Sequence, residues 1–411
     1  MFKAMVITVG TGRDREDISK AILFSIKQQN PDIIYFLVSD LSEKETLPLI
    51  TSNLTVPYVP KKFQEINDVE IIYFEYKKQI DALVKSGYEP SNIVADYTSG
   101  TKSMSAALLA ASFAAGLGTV SYIYGTRDRG GRVISGTERP MAFAPARIFA
   151  YQKIAQAKIS FNSNRFQSCV DICKEVEKMT SVPEILDEIF FIRTLATAYD
   201  AWDRFDFDTA LEKFAQLKDS SFLTKYELKG KTEKHKEFLY REKRDKYSYD
   251  RVIDLIANAN RRFDEEGRFD DGLARLYRAF EYLAQVKLYV DHNSLETKNI
   301  DLNKLPDHLK SKYAMKKKDN GRVELSLVGD YELLGDLGDG LGKMFNTDRN
   351  NDEQFKKALS KRNSSILAHG FQPITREAAL TLLEYLKKYI GHVDSNYEAR
   401  LALIRFPRLR K

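Results

Sequence analysis

Up to about residue 125 the chain alternates short apolar runs with amphipathic stretches, and from about Ala146 it keeps a helical period almost to its end. This switch constrains the fold most, because strand side chains repeat every two residues and helical ones every 3.6. Strand-like runs are Ala4–Val9, Ile33–Ser39, Val69–Phe74, Asn92–Tyr97 and Thr119–Tyr124, with a further pair around Arg132–Ser135. Helical patterns fit between them at about Glu16–Gln29, Tyr76–Ser86 and Ser103–Ala115. Strands alternating with helices predict an α/β domain whose mostly parallel sheet is covered on both faces. The rest predicts an all-α region with a small β-hairpin insertion at Arg322–Leu334, a glycine-rich stretch at Gly335–Gly342 and a last helix from about Thr375 to Ile390. A chain of 411 residues should hold two or three cores. The boundaries fall at 1–145, 146–245 and 246–411.

Ligands of such sheets bind where strands end and helices begin. Two loops stand there: Gly10-Thr11-Gly12-Arg13 after the first strand, and Thr98-Ser99-Gly100-Thr101-Lys102-Ser103 after the fourth. The first is like the start of a dinucleotide fingerprint, with Asp40 placed as a ribose-binding acid, but Arg15 stands where the third glycine belongs. The second sets hydroxyls and a lysine at a helix N-terminus, where free N–H groups favour anions. Simple capping by Thr98 or Ser99 explains part of the same pattern. Its order lacks the Gly-Lys-Ser/Thr sequence of a triphosphate loop. Both loops together favour a bound nucleotide over ATP hydrolysis.

A net charge of +6 permits a polyanionic partner without demanding one. The only cysteines, Cys169 and Cys173, stand four apart with no further zinc ligands near, and read as buried thiols in a reducing compartment. Gly10–Arg15 interrupt the N-terminal apolar run too early for a signal peptide, and no apolar stretch reaches membrane-spanning length, so a cytoplasmic protein is expected. A loose echo runs through the helical region: Asn164-Arg165-Phe166-Gln167, Asp203-Arg204-Phe205-Asp206 and Gly267-Arg268-Phe269-Asp270, each between two helical patterns. The uneven spacing marks similar connectors and not a repeat array. Lys225–Lys246, dense in charge, reads as a solvated helix or connector.

Near the C-terminus stands Lys361-Arg362-Asn363-Ser364-Ser365-Ile366-Leu367-Ala368-His369-Gly370. If a helix continues through it, Arg362 and His369 leave one face about 10 Å apart along the axis. Arginine holds phosphate oxygens in a planar fork, and histidine is the side chain best suited to moving protons near neutral pH. The other histidines, His235, His292, His308 and His392, lie in charged or loop surroundings and read as surface residues.

Asp96-Tyr97-Thr98-Ser99-Gly100-Thr101-Lys102-Ser103, behind Thr8-Val9-Gly10-Thr11-Gly12, resembles the CARF domain of CRISPR-associated proteins. Arg362-Asn363, with His369-Gly370 downstream, resembles the HEPN nuclease signature. The chain as a whole resembles the CARF–HEPN effectors of type III CRISPR systems, specifically the Cas02710-like family, over about residues 1–145 and 250–400. The resemblance implies a Rossmann-like CARF domain followed by helices and a HEPN domain. It implies a cytoplasmic homodimer that senses cyclic oligoadenylate and then cleaves single-stranded RNA. That cleavage is metal-independent: the 2′-hydroxyl attacks the adjacent phosphate, leaving 2′,3′-cyclic phosphate and 5′-hydroxyl ends. Carried over, Arg362, Asn363 and His369 are catalytic, with half of the site supplied by the second subunit. Gly10, Thr11, Gly12, Arg13, Thr98, Ser99, Gly100, Thr101 and Lys102 line the ligand pocket. No cofactor or metal is expected.

Two further readings stay open at this level. One is a nucleotide-sensing regulator that binds a partner and does not cut. The other is a protein that also degrades its own cyclic ligand, with the hydroxyls of Thr11, Thr98, Ser99 and Thr101 positioning the ligand's 2′-hydroxyl.

Overall fold

Strand β1 (Ala4–Val9) is buried along its whole length at the centre of a six-stranded sheet. The order is β3-β2-β1-β4-β5-β6, with β2 (Ile33–Val38), β3 (Tyr58–Lys62), β4 (Ile93–Asp96) and β5 (Thr119–Tyr124) parallel to it and β6 (Arg139–Phe143) antiparallel to β5. Burial on both faces explains the unbroken apolar sequence of β1. Ala4 and Val6 feed a core with Ile72, Ile80, Ala107 and Leu108, whereas Met5, Ile7 and Val9 feed the opposite core with Ile22, Ile26 and Ile50. Helices α1 (Arg15–Gln29), α2 (Val69–Lys85) and α3 (Lys102–Ala114) supply most of that cover. The strand order reverses between β1 and β4, so the crevice of a doubly wound sheet opens at their carboxyl ends.

The computed structural model describes residues 2–410 except 13–14, 127–128, 130–132, 135 and 265–266. Within these the chain forms two units, Met1–Ala155 with Glu175–Leu186, and Gln156–Lys174 with Asp187–Lys411.

The expected strand at Val69–Phe74 is instead the first half of α2. Five of its six residues are β-branched or aromatic, yet the buried positions Ile72, Tyr76, Ile80 and Leu83 follow the helical period, and the Asp68 carboxylate caps the amides of Glu70 and Ile71. The third strand falls at Tyr58–Lys62, which Pro60 had hidden. Proline is tolerated there because β3 is the sheet edge. Of the strand pair expected around Arg132–Ser135, Arg132 and Ser135 lie outside the described residues, and the antiparallel edge is β6.

From Pro145 onward the long elements are all helices. Among them are α4 (Pro145–Asn162), α5 (Phe166–Met179), α6 (Pro183–Asp203), α7 (Phe207–Gln216), α8 (Lys229–Arg244), α9 (Tyr249–Asp264) and α10 (Phe269–Asp291). After them come α11 (Leu327–Asp336), α12 (Gly340–Asn351), α13 (Glu353–Lys361), α14 (Arg376–Val393) and α15 (Tyr397–Leu403). The expected hairpin at Arg322–Leu334 shrinks to one antiparallel bridge, Lys317 to Val323, because Ser326 caps α11 and turns the following residues helical.

In the second unit, one core gathers around Trp202, whose indole N–H donates to Asp254 at 2.8 Å. His235 belongs to this core and not to the surface. It is fully buried, bonded to the Tyr199 hydroxyl at 2.9 Å and to the Leu403 carbonyl at 3.0 Å, and burial holds its pKa down near 3. Helix α8 carries it there despite a charge-rich sequence, because Thr232, His235, Phe238, Leu239 and Glu242 form one buried stripe. His292 is likewise engaged, with Asp339 at 3.0 Å. Cys169 and Cys173 are buried free thiols. A second core stacks Tyr331 on Phe345 with centroids 4.1 Å apart, beside Phe280, Phe355 and Tyr389. Among the described residues no helix is long and apolar enough to cross a membrane.

The three echoed connectors are sharp turns. Asn164, Phe205 and Gly267 take positive φ of 55°, 61° and 62°, and the helix resumes two residues later at Phe166, Phe207 and Phe269. The structural match is therefore Asn-Arg-Phe, Phe-Asp-Phe and Gly-Arg-Phe, shifted by two residues in the middle copy.

Candidate ligand pocket and active site

In the first unit, the expected pocket loops meet at the crevice between β1 and β4. The Thr8 hydroxyl donates to the Ser99 carbonyl, and the Gly10 amide donates to Ser99 Oγ at 2.9 Å. The approach is close enough to require glycine: a Cβ on Gly10 would stand 2.7 Å from the Gly100 nitrogen, and Gly100 itself has φ of +112°. Gly12, with φ of +49°, continues the first loop. Thr98 Oγ1 accepts from the Ile123 amide at 3.0 Å, tying the second loop to β5. Thr101 is the residue that caps α3, accepting from the Met104 amide at 3.1 Å and donating to the Ile66 carbonyl at 2.7 Å. So the hydroxyls of Thr98, Ser99 and Thr101 fix the loop's shape, while Lys102 is exposed in the first turn of α3 and Thr11 is half-buried. Arg13, expected in the same pocket, lies outside the described residues.

Beneath the second loop sits the first residue of the Asp96–Ser103 motif, to which the sequence assigned no role of its own. Asp96 is completely buried and accepts from the hydroxyls of Ser25 and Ser121 and from the Thr98 amide. Burial raises its carboxyl pKa, against the lowering effect of those bonds. An acid ending the apolar run Ile93-Val94-Ala95 was the available signal. Tyr97 stacks on Tyr122 with centroids 5.2 Å apart, closing the side of the loop.

In the second unit, the Arg362–His369 segment does not continue a helix. Helix α13 ends at Lys361, Arg362–Ser364 forms a single 3-10 turn, and Ser365 is extended. Ser364 Oγ bonds back to the Lys361 carbonyl at 2.7 Å, the local competition with backbone bonding that ends helices at serine. The chain then doubles back: the Gly370 amide donates to the Ser365 carbonyl at 3.1 Å and the Gln372 amide to the Ser364 carbonyl at 2.9 Å. Loop closure, and not a shared helix face, therefore shapes the motif, with Ser364 and Ser365 held against Gly370 and Gln372.

Arg362 lies over the Tyr277 ring of α10, its guanidinium carbon 4.9 Å from the centroid. This contact desolvates one face of the cation while leaving its planar N–H edge free to fork onto an oxyanion. Tyr277 escaped the sequence reading, since nothing local distinguishes it from other aromatic positions of α10. Asn363 and His369 are exposed. Around His369 stand exposed apolar side chains, Ile366, Leu367 and Phe371, the last 90% exposed. Ile374 anchors the returning chain, its amide 3.4 Å from the Asp270 carboxylate of α10. A permanent cation, an exposed imidazole and an apolar rim suit a site that handles a phosphodiester against a second surface. Among the described residues no group of three or more His, Cys, Asp or Glu side chains is placed to hold a metal ion.

Sequence models of known domains match two segments that overlap at residues 241–246. The Csm6 6H domain matches residues 149–246 and the Csm6 HEPN domain residues 241–392, the second containing Arg362, Asn363 and His369. Among solved structures, Enterococcus italicus Csm6 bound to cyclic hexa-2′-fluoro-hexa-dAMP is similar with a TM-score of 0.64 at 12% identity, covering 98% of this chain and 99% of that chain. At this identity the likeness is one of fold. No curated protein matches.

Proposed function

Because the chain belongs to the Cas02710-like family of CARF–HEPN effectors, we propose that it is a ribonuclease of type III CRISPR defence switched on by cyclic oligoadenylate. The observation that carries the reading is the closed loop that follows Arg362 on the Tyr277 ring and leaves His369 exposed to solvent. His369 takes the proton of a ribose 2′-hydroxyl, the 2′-oxygen bonds to the adjacent phosphorus, and the bond from phosphorus to the 5′-oxygen breaks. The leaving 5′-oxygen receives a proton, and the products are a 2′,3′-cyclic phosphate and a 5′-hydroxyl. Arg362 stabilises the added charge on the five-coordinate phosphate through two N–H bonds. Asn363 orients the substrate.

One loop supplies a single histidine, and in-line transfer uses groups on both the attacking and the leaving side. The exposed Ile366, Leu367 and Phe371 fit a two-fold contact that places the partner subunit's His369 opposite. The ligand pocket is the crevice of Gly10, Thr11, Gly12, Thr98, Ser99, Gly100, Thr101 and Lys102, with Arg13 beside it in sequence. The exposed Lys102 and the first turn of α3 attract the ligand's phosphates. The domains of this reading are 1–145 for sensing, 146–245 as connector and 246–411 for cleavage, in a cytoplasmic homodimer.

The test is an assay of single-stranded RNA with cyclic tri-, tetra- and hexa-adenylate, with and without EDTA. Cleavage with one ring size, insensitive to EDTA and abolished in His369→Ala, is the expected result. Ligand binding by calorimetry with no RNA loss under any ring size would replace the reading by that of a non-cleaving sensor.

A further inference from the structure

The connectors that the sequence repeats loosely converge in space. Arg165 from the first, Arg204 from the second and Arg268 from the third line one cavity of about 500 Å³ in the second unit. Arg262 of α9 joins them, and among the described residues the acids in the lining are Asp200 and Asp203. The first turn of α5, an element of 14 residues, borders the same space, adding the positive end of a helix dipole.

Part of this cluster is structural. Asp203 is buried and takes bonds from Arg261 at 2.8 Å and from Arg262, so that pair locks α6 to α9. The other arginines are held differently. Arg165 is exposed, and Arg204 and Arg268, paired with Asp200 and Asp271, keep side chains 63% and 59% exposed. Exposed pairs of this kind contribute about 0–1 kcal/mol, so an incoming phosphate displaces the acids at little cost. The Arg204 guanidinium carries five N–H donors, and Asp200 takes those at Nε and at one terminal nitrogen. Three turns with positive φ deliver three such side chains to one mouth.

The cavity also lies near the cleavage loop along one element. Arg268 is the residue preceding α10, Asp270 in its first turn receives the Ile374 amide, and Tyr277 carries Arg362. From Phe269 to Tyr277 the axial rise is about 12 Å, the rise of three to four stacked nucleotides.

We propose that this cavity binds backbone phosphates of the RNA strand outside the scissile bond, a docking site for flanking nucleotides. The proposal rests on the ribonuclease reading above, and its test separates the two. Full-length protein carrying Arg165→Gln with Arg204→Gln is compared with wild type on a 20-nucleotide and a 4-nucleotide RNA in the presence of the activating cyclic oligoadenylate. A second variant, Gln167→Glu, adds a negative charge in the first turn of α5 and so tests the site without removing an ion pair; it exchanges the Gln167 amide bond to Asp171 for a weak repulsion, offset by the helix dipole.

Both variants should raise KM for the 20-mer by about tenfold, leave kcat within about twofold and leave the 4-mer unaffected, as expected for lost phosphate contacts. A KM that stays put for the 20-mer, or rises equally for both RNAs, overturns the proposal. Binding of a 2′-O-methyl 20-mer, which lacks the nucleophile, is followed against salt by fluorescence polarisation. The double variant should flatten the slope of log K on log salt by about 1.4, two contacts at about 0.7 each. An unchanged slope overturns the docking site. A flattened slope in a protein that cuts no RNA supports the docking site and overturns the ribonuclease reading alone.

Discussion

The Cα of Gly370 lies against the carbonyl of Ser364, so close that a Cβ there would stand 2.2 Å from the oxygen and 2.6 Å from its carbon. Nothing in that contact is a flexible side chain, so any larger residue must move backbone. Gly370→Ala should open the loop and shift His369 by an ångström or more. Misplacement of a reacting group on that scale costs on the order of 100-fold in rate. The expected outcome is loss of RNA cleavage by about that factor with cyclic oligoadenylate affinity unchanged by calorimetry. An Ala variant that cuts at the normal rate would show that the doubled-back loop is not the working geometry.

Tyr277 holds the face of Arg362 and touches no reacting atom in this arrangement, which makes it a positioning residue. Cation–π contacts contribute about 0.5–2 kcal/mol. Tyr277→Leu should lower kcat by roughly 3- to 30-fold with little change in KM, whereas Tyr277→Phe keeps the ring and should stay within about twofold. The comparison of the two variants in steady-state kinetics separates ring stacking from a role for the hydroxyl, which would make the Phe variant the impaired one.

Much of the first unit was readable because period and burial agree there. Ala4–Val9 is apolar throughout and is buried on both faces, and the two glycine loops stand where parallel strands hand over to helices. Reading failed where tertiary context overrode composition. Val69–Phe74 has the residues of a strand but the spacing and the Asp68 cap of a helix, and Pro60 is acceptable only because the sheet ends at β3. At the cleavage loop the residue types were legible and the geometry was not. Seven residues from Arg362 to His369 fit a helix on paper, whereas Ser364 and Ser365 divert the backbone into a turn closed by Gly370. His235 was misread for a related reason: charged neighbours on α8 conceal a buried stripe whose partners, Tyr199 and Leu403, are distant in sequence.

The crevice of the first unit rests on the fit between Gly10 and Gly100. Gly10→Ala would press a methyl group against backbone at 2.7–2.8 Å and spread the two loops. If they form the ligand pocket, affinity for the activating ring should fall by 10-fold or more in calorimetry. RNA cleavage without ligand should stay at the wild-type basal rate, since no residue of the cleavage loop is touched. Lys102→Ala should weaken ligand binding by less, losing one exposed phosphate contact. Unchanged affinity in Gly10→Ala would move the pocket elsewhere on the sheet.

Asp330 offers a test of stability that is independent of either site. Its carboxyl, on α11, is buried beside Gln285 and Glu281; burial and then the Glu281 charge push its pKa up to about 8, and Oδ1 has no hydrogen-bond partner. Below about pH 4 the group is protonated whether the chain is folded or not, so it carries no pH-dependent penalty. Between pH 4 and 8 the unfolded chain releases the proton and the folded one keeps it, which draws the equilibrium toward unfolding as pH rises. Above pH 8 the penalty is complete and constant. Asp330→Asn keeps the shape and removes the titration, so its advantage over wild type should grow from pH 5 to pH 8 and then level off. Even two pKa units of difference correspond to about 3 kcal/mol, or roughly 5–10 °C in melting temperature for a domain of this size. Calorimetric scans at pH 5, 6.5 and 8 check this. An advantage that is the same at all three would mean that Asp330 is ionised in the folded protein.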